Sequence, residues 1–260
     1  MASDTPAPSP FPALLRRPSP LMAHIAPLGL FMLLSGLVSV VGVKNPALPW
    51  WRSMPEQWVY PLQTVIVGVL LLLWRKQYRL MPWRNLGLAS VLGAIGIVAW
   101  ILPGQLWIYL TDHGVKVADY WKWLGVAPRL EGFDPSFVDH QPLAYGVVLF
   151  FRFARMVLVV PLVEEICWRS FLMRYIVAGE ERDFTSVPFG THTWPAFIVT
   201  TLAVVLIHQP VDYLGALVFG SLMYWLAVRS KSLGACVVMH AVANLLLGLY
   251  VLKTKQWGFW

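Results

Sequence analysis

The stretch 144-AYGVVLFFRFARMVLVVPLVEEICWRSFLMRYIV-177 decides the fold. About 20 helical residues cross a hydrocarbon core of roughly 30 Å, so this run is about one and a half spans long. Pro161 removes a backbone donor and clashes with the preceding turn, so the run is either one kinked helix or two segments. Working outward, further apolar runs lie at 21–43, 58–74, 86–110, 194–208, 211–228 and 233–252. Of the 260 residues, 58% are hydrophobic and 13% charged, against about a quarter charged in a soluble domain. The runs are too long and too uniformly apolar for the alternating strands of a membrane barrel. The sequence therefore predicts an all-α polytopic membrane helix bundle with seven or eight transmembrane helices.

The net charge of +7 is placed by topology rather than for nucleic acid. Arg16 and Arg17 precede the first span, Arg75, Lys76, Arg79 and Arg84 lie between the second and third, and Arg229 and Lys231 form a later cluster. The 111–143 connection instead carries Asp112, Asp119, Glu131, Asp134 and Asp139 against Lys116, Lys122 and Arg129. Basic connections stay in the cytoplasm, so the N-terminus is expected there and 111–143 outside. Residues 1–20, rich in proline, read as a disordered cytoplasmic tail. Residues 21–143 read as N-terminal helices and an outer loop, and 253–260 as a C-terminal tail. The side of the C-terminus stays open. Trp50, Trp51, Trp58, Trp74 and Trp83 sit at span ends, as an aromatic belt requires. Cys167 and Cys236 lie in apolar helical stretches and read as packing residues.

Six charges stand where lipid forbids them: Arg152, Arg155, Glu164, Glu165, Arg169 and Arg174. Each costs about 2.5–3.5 kcal/mol near the bilayer centre on insertion scales, so they must pair, line a protein cavity or lie near an interface. Glu165 and Arg169 are four apart with the acid first, the favourable order for a helical ion pair. Glu164 points about 100° away and is free to face a cavity as a general base. His208 ends an apolar run, and His240 and Asn244 share a helix face. Together these residues hold the parts for water-mediated acyl hydrolysis, with a carboxylate and a His to deprotonate water and a His and an amide for the oxyanion. His24, His113, His140 and His192 sit at span ends or in loops and carry no chemistry in this reading. Arg152 and Arg155 lie on one face, where ion pairing ranks above anion binding.

Glu164-Glu165-Ile-Cys-Trp-Arg169 has the form E-E-x-x-x-R, and His240-Ala-Val-Ala-Asn244 has the form H-x-x-x-N. His208 falls where an F-x-x-x-H motif belongs, with Val204 in place of the Phe. Over residues 144–252 the chain resembles the CPBP intramembrane proteases, which include type II CAAX prenyl endopeptidases. Val160-Pro-Leu-Val-Glu-Glu, Thr193-Trp-Pro and the ending at Trp260 are similar to a bacterial, exosortase-associated subgroup. The resemblance implies that Glu164 and His208 activate water, that His240 and Asn244 form the oxyanion site, and that Glu165 and Arg169 support them. It implies an intramembrane endopeptidase of a bacterial inner membrane acting on a membrane-associated protein or peptide, with the lipid bilayer as its other partner. No cofactor is called for. The alternatives are a Zn²⁺ ion on Glu164, His208 and His240, or a non-catalytic scaffold, immunity factor or transporter. A Cys167 nucleophile is set aside, because an apolar setting makes a thiol inert.

Overall fold

A computed structural model describes residues 18–43, 45, 47–129 and 132–260. Residues 1–17 of the expected tail, with Arg16 and Arg17, lie outside them, as does Glu131. Among the described residues there are helices and no strands. Six helices are long and apolar enough to cross a membrane: α1 (Pro20–Val41), α2 (Glu56–Gln77), α3 (Leu86–Asp112), α4 (Pro142–Ala178), and two that follow a shorter one. The shorter helix is α5 (Trp194–Leu206), and it is followed by α6 (Tyr213–Ser230) and α7 (Leu233–Thr254). The chain is an integral-membrane-type helical bundle, and its spans lie within a few residues of those read from the sequence.

Local chemistry explains where the helices start. The hydroxyls of Ser19, Thr193 and Ser232 accept the first free amides of α1, α5 and α7, from Met22, Ala196 and Ala235. Pro20 and Pro142 open α1 and α4, and Pro195 lies in the first turn of α5, where a missing N–H costs nothing. The outer faces are apolar, with Leu33, Val40, Leu72, Leu143, Phe150 and Leu158 all at least 60% exposed. A water-soluble molecule rarely shows so much contiguous apolar surface, and lipid is the solvent that accepts it. Of the tryptophans expected in a belt, Trp50, Trp51 and Trp83 are exposed, whereas Trp74 is buried in the bundle.

Lipid tails give helices no hydrophobic reason to associate, so close packing of small residues has to hold the bundle. α3 supplies it. A Cβ on Gly93 would stand 2.5 Å from the Met239 carbonyl of α7, and one on Gly96 would stand 2.6 Å from the Phe219 ring of α6. One core fills the space among α3, α6 and α7 and a second fills that among α1, α2 and α4. The residues predicted from the sequence to form a site line a cavity whose walls draw on both cores.

Pro142–Ala178 is one continuous helix, so the eighth span does not occur among the described residues. It accommodates Pro161 by widening instead of breaking. Ala154–Val159 and Ile166–Leu172 are π-helical, flanking the α-helical turn Val160–Glu165. Such bulges recur at functional sites. They set the phase of the glutamates relative to the neighbouring helices, which a 3.6-residue wheel could not supply.

Candidate active site

Glu164 and Glu165 stand in the short α-helical turn of α4, between its two π segments. Glu165 is fully buried, with Arg169 at 2% exposure and His240 at 7%. Its Oε1 accepts from His240 Nδ1 at 2.8 Å, and its Oε2 lies 3.3 Å from Arg169 Nε in an ion pair. The carboxylate is thus shared between a guanidinium on its own helix and an imidazole on α7. Sequence reading found the first partner and missed the second, because nothing local in the sequence links residue 165 to residue 240. Glu164 is half-buried and has no hydrogen bond or ion pair to a described residue. Arg155 and Cys167 are close enough to feel its charge.

α5 brings His208 to the site by being short. Thirteen residues rise about 20 Å, less than the core thickness, and the helix ends at Leu206 ahead of Pro210. His208 therefore lies just beyond the helix rather than within it. Its Nδ1 donates to the Val204 carbonyl at 2.7 Å, so in the neutral ring Nε2 is the acceptor nitrogen. The ring meets Trp100 of α3 edge-on at 5.3 Å. His240 meets Phe219 in the same manner at 5.4 Å.

Asn244, one turn beyond His240 on α7, donates through Nδ2 to the Met156 carbonyl at 2.6 Å. The reason lies in the π segment. The Val160 amide bonds the Arg155 carbonyl five residues back, so in that register Met156 would be served by residue 161. Residue 161 is proline and has no N–H to give. Asn244 fills the gap, which fixes its amide while leaving a second N–H free.

All six sequence-predicted residues (Glu164, Glu165, Arg169, His208, His240 and Asn244) line one cavity of about 610 Å³. The structure adds walls that the sequence reading left out. Trp100 and Phe219 hold the imidazoles, and Phe259 and Trp260 of the C-terminal stretch line the cavity as well. Residues 253–260, read as a tail, fold back through the turn Trp257–Phe259, and Phe259 is buried. Part of the 111–143 connection also closes on the site. Arg129 pairs with Asp212 at 2.7 Å, donates to the Val211 carbonyl at 3.1 Å and lies over the Phe259 ring.

Several side chains singled out from the sequence stay outside. Arg152 is buried in a box made by Tyr60, Phe133 and Trp260. Arg155 donates to Gln63 at 2.6 Å and lies over Phe31 and Tyr60. Neither forms the ion pair expected of it among the described residues; aromatic faces and a side-chain amide stabilise both cations instead. His24 is internally satisfied by the Pro20 carbonyl and Ser170. Cys167 and Cys236 are free and buried. Among the described residues no three His, Cys, Asp or Glu side chains are gathered closely enough to hold a metal ion, and that includes Glu164, His208 and His240.

No curated protein and no solved structure matches the chain. Residues 146–246, which run from α4 into α7 and hold all six of these site residues, match the family model described as Type II CAAX prenyl endopeptidase Rce1-like. The match is at the level of the family, not of the narrower exosortase-associated subgroup. Over that segment the chain is similar to the type II CAAX prenyl endopeptidases, which supports the resemblance to the CAAX-protease (CPBP) family.

Proposed function

We propose that this protein hydrolyses a peptide bond of a membrane-associated substrate with a water activated by Glu164 and His208. The observation that carries the reading is Glu164 itself, a carboxylate with no partner among the described residues, on the wall of an intramembrane cavity that also holds two imidazoles and an amide. A charge left unpaired at that depth is costly, and a catalytic use accounts for its retention. Water bound between Glu164 and the free Nε2 of His208 loses its proton to them as its oxygen attacks the scissile carbonyl carbon. The oxyanion is met by Asn244, through the N–H that Met156 does not take, and by Nε2 of His240. Because Nδ1 of His240 donates to Glu165, Nε2 donates only when the ring is an imidazolium. The proton taken from water passes to the leaving nitrogen as the C–N bond breaks. Glu165 and Arg169 position His240 and touch no reacting atom.

In this reading the substrate is a membrane protein or peptide, the enzyme sits in a bacterial plasma membrane with its N-terminus in the cytoplasm, and no cofactor takes part. The test is cleavage of a panel of membrane peptides by detergent-purified protein beside Glu164→Gln, with and without a strong chelator. Activity lost in the variant and kept with chelator supports the reading. Activity removed by chelator, with zinc found in the purified protein, would replace it with a metal-dependent one. Full activity in the variant would end the assignment to Glu164.

A further inference from the structure

A second cavity of about 620 Å³ lies at the other end of α4, away from Glu164. Its walls carry Arg79, Arg174 and Lys231, with Ser170, Thr185 and Ser186 between them, and among the described residues no carboxylate lines it. The walls are tied down. The Leu80 carbonyl accepts from the Gly234 amide at 3.0 Å and the Pro82 carbonyl from the Ser232 hydroxyl, which pins residues 80–82 to the start of α7. Arg174 donates to the carbonyls of Val187 and Thr185, both at 2.8 Å, and of Ser170 at 3.2 Å, which pins the opposite wall. Lys231 donates to the Gly190 carbonyl.

Three cations therefore converge on a preformed space with only neutral acceptors to balance them. Asp183 is close enough to act on Arg174, but its Oδ1 is spent on the Thr185 amide and hydroxyl at 2.7 and 2.6 Å. Arg79 is exposed and has no described partner. The cavity sits at the end of the bundle that carries the basic loop 75–84, whose Arg79, Met81 and Pro82 form part of its wall.

We propose that this cavity binds a phosphate group, as the headgroup of an anionic phospholipid. Arg79 and Lys231 and the two unused N–H groups of Arg174 supply the charge, and Ser186 and Thr185 supply hydroxyl donors. Basic pockets between membrane helices are suited to such headgroups, each cation near the surface contributing on the order of a fivefold gain. The cavity shares a wall with the active site. In the π segment Ile166–Leu172, Arg169 faces the catalytic cavity and the next residue, Ser170, faces this one.

The experiment is a titration of full-length protein in neutral detergent with short-chain phosphatidylglycerol, phosphatidylcholine and inorganic phosphate, read by native mass spectrometry and by thermal unfolding. Arg79→Gln is the primary variant, because Arg79 is exposed and its loss leaves the fold intact. Lys231→Gln is the second. Wild type is expected to prefer phosphatidylglycerol to phosphatidylcholine, with about fivefold weaker binding in Arg79→Gln. Stabilisation of wild type, but not of Arg79→Gln, by inorganic phosphate alone would keep the site and make free phosphate the source. If phosphatidylglycerol and phosphate act equally on wild type and both variants, or on none of them, the proposal is overturned.

Discussion

Glu164 and Glu165 are neighbours in sequence and opposites in circumstance. Glu165 is enclosed and shared by Arg169 and His240, whereas Glu164 faces the cavity with no partner among the described residues. Their isosteric amides should separate the two roles. Glu164→Gln removes a general base, so cleavage should fall about 10²- to 10⁴-fold with no loss of thermal stability, since no contact is broken. Glu165→Gln strips a buried guanidinium of its counter-charge, which costs about 3–5 kcal/mol, so it should lower the unfolding temperature as well as the rate. Comparable destabilisation by both variants would return Glu164 to a packing role. At this scale much of the site was legible, because charges in an apolar run have few explanations and helical spacing split the pair. The Glu165–His240 bond was not legible, since a contact across 75 residues depends on how α4 and α7 dock. Trp100 and Phe219 went unseen for a related reason: in a chain with 14 Trp and 13 Phe, nothing marks the two that hold imidazoles.

At the scale of elements, two irregularities build the site. α5 stops after 13 residues and leaves His208 just beyond its end, and α4 widens twice around Pro161. The first could be read from Gln209-Pro210. The second could not, because proline announces a disturbance without saying whether the helix bends, breaks or bulges. Pro161→Ala tests it. An alanine amide would compete with Asn244 for the helix carbonyl and free the Asn side chain to wander. The variant should be at least as stable as wild type and yet turn over about tenfold to a hundredfold more slowly, the usual consequence of misplacing a catalytic group. Unchanged turnover would mean that the Asn244–Met156 bond does not matter to catalysis. Packing between α3 and α7 makes a separate prediction. Gly93→Leu should destabilise by about 1–3 kcal/mol or more, because its Cβ meets the Met239 carbonyl at 2.5 Å. Gly87→Leu on the same helix, where a Cβ meets nothing within 4 Å, should be neutral in the same unfolding assay.

For the whole molecule, the packing sorts every helix end to one of two sides. Tyr78 donates to the Ala23 carbonyl, Gly234 to Leu80 and Arg174 to Val187, so the starts of α1 and α7 and the ends of α2 and α4 lie together. Loop 75–84, with four basic residues, is on that side. The end of α3, the start of α4 and the chain's last residues lie on the other, where Arg129 covers Phe259. The candidate catalytic cavity runs from Glu165 toward this second side, which holds Pro128, Arg129 and Gly258–Trp260. The positive-inside rule predicts loop 75–84 in the cytoplasm; on that orientation the cavity should face the extracytoplasmic half of the bilayer, and a substrate should present its scissile bond from there. Single cysteines at exposed positions decide the matter, because Cys167 and Cys236 are buried and leave the wild type as a blank. Lys116→Cys should react with a membrane-impermeant maleimide in intact cells, and Lys76→Cys only after permeabilisation. The reverse pattern would turn the molecule over, give its cavity to the cytoplasm and make cytoplasmic, membrane-anchored chains the substrates to try.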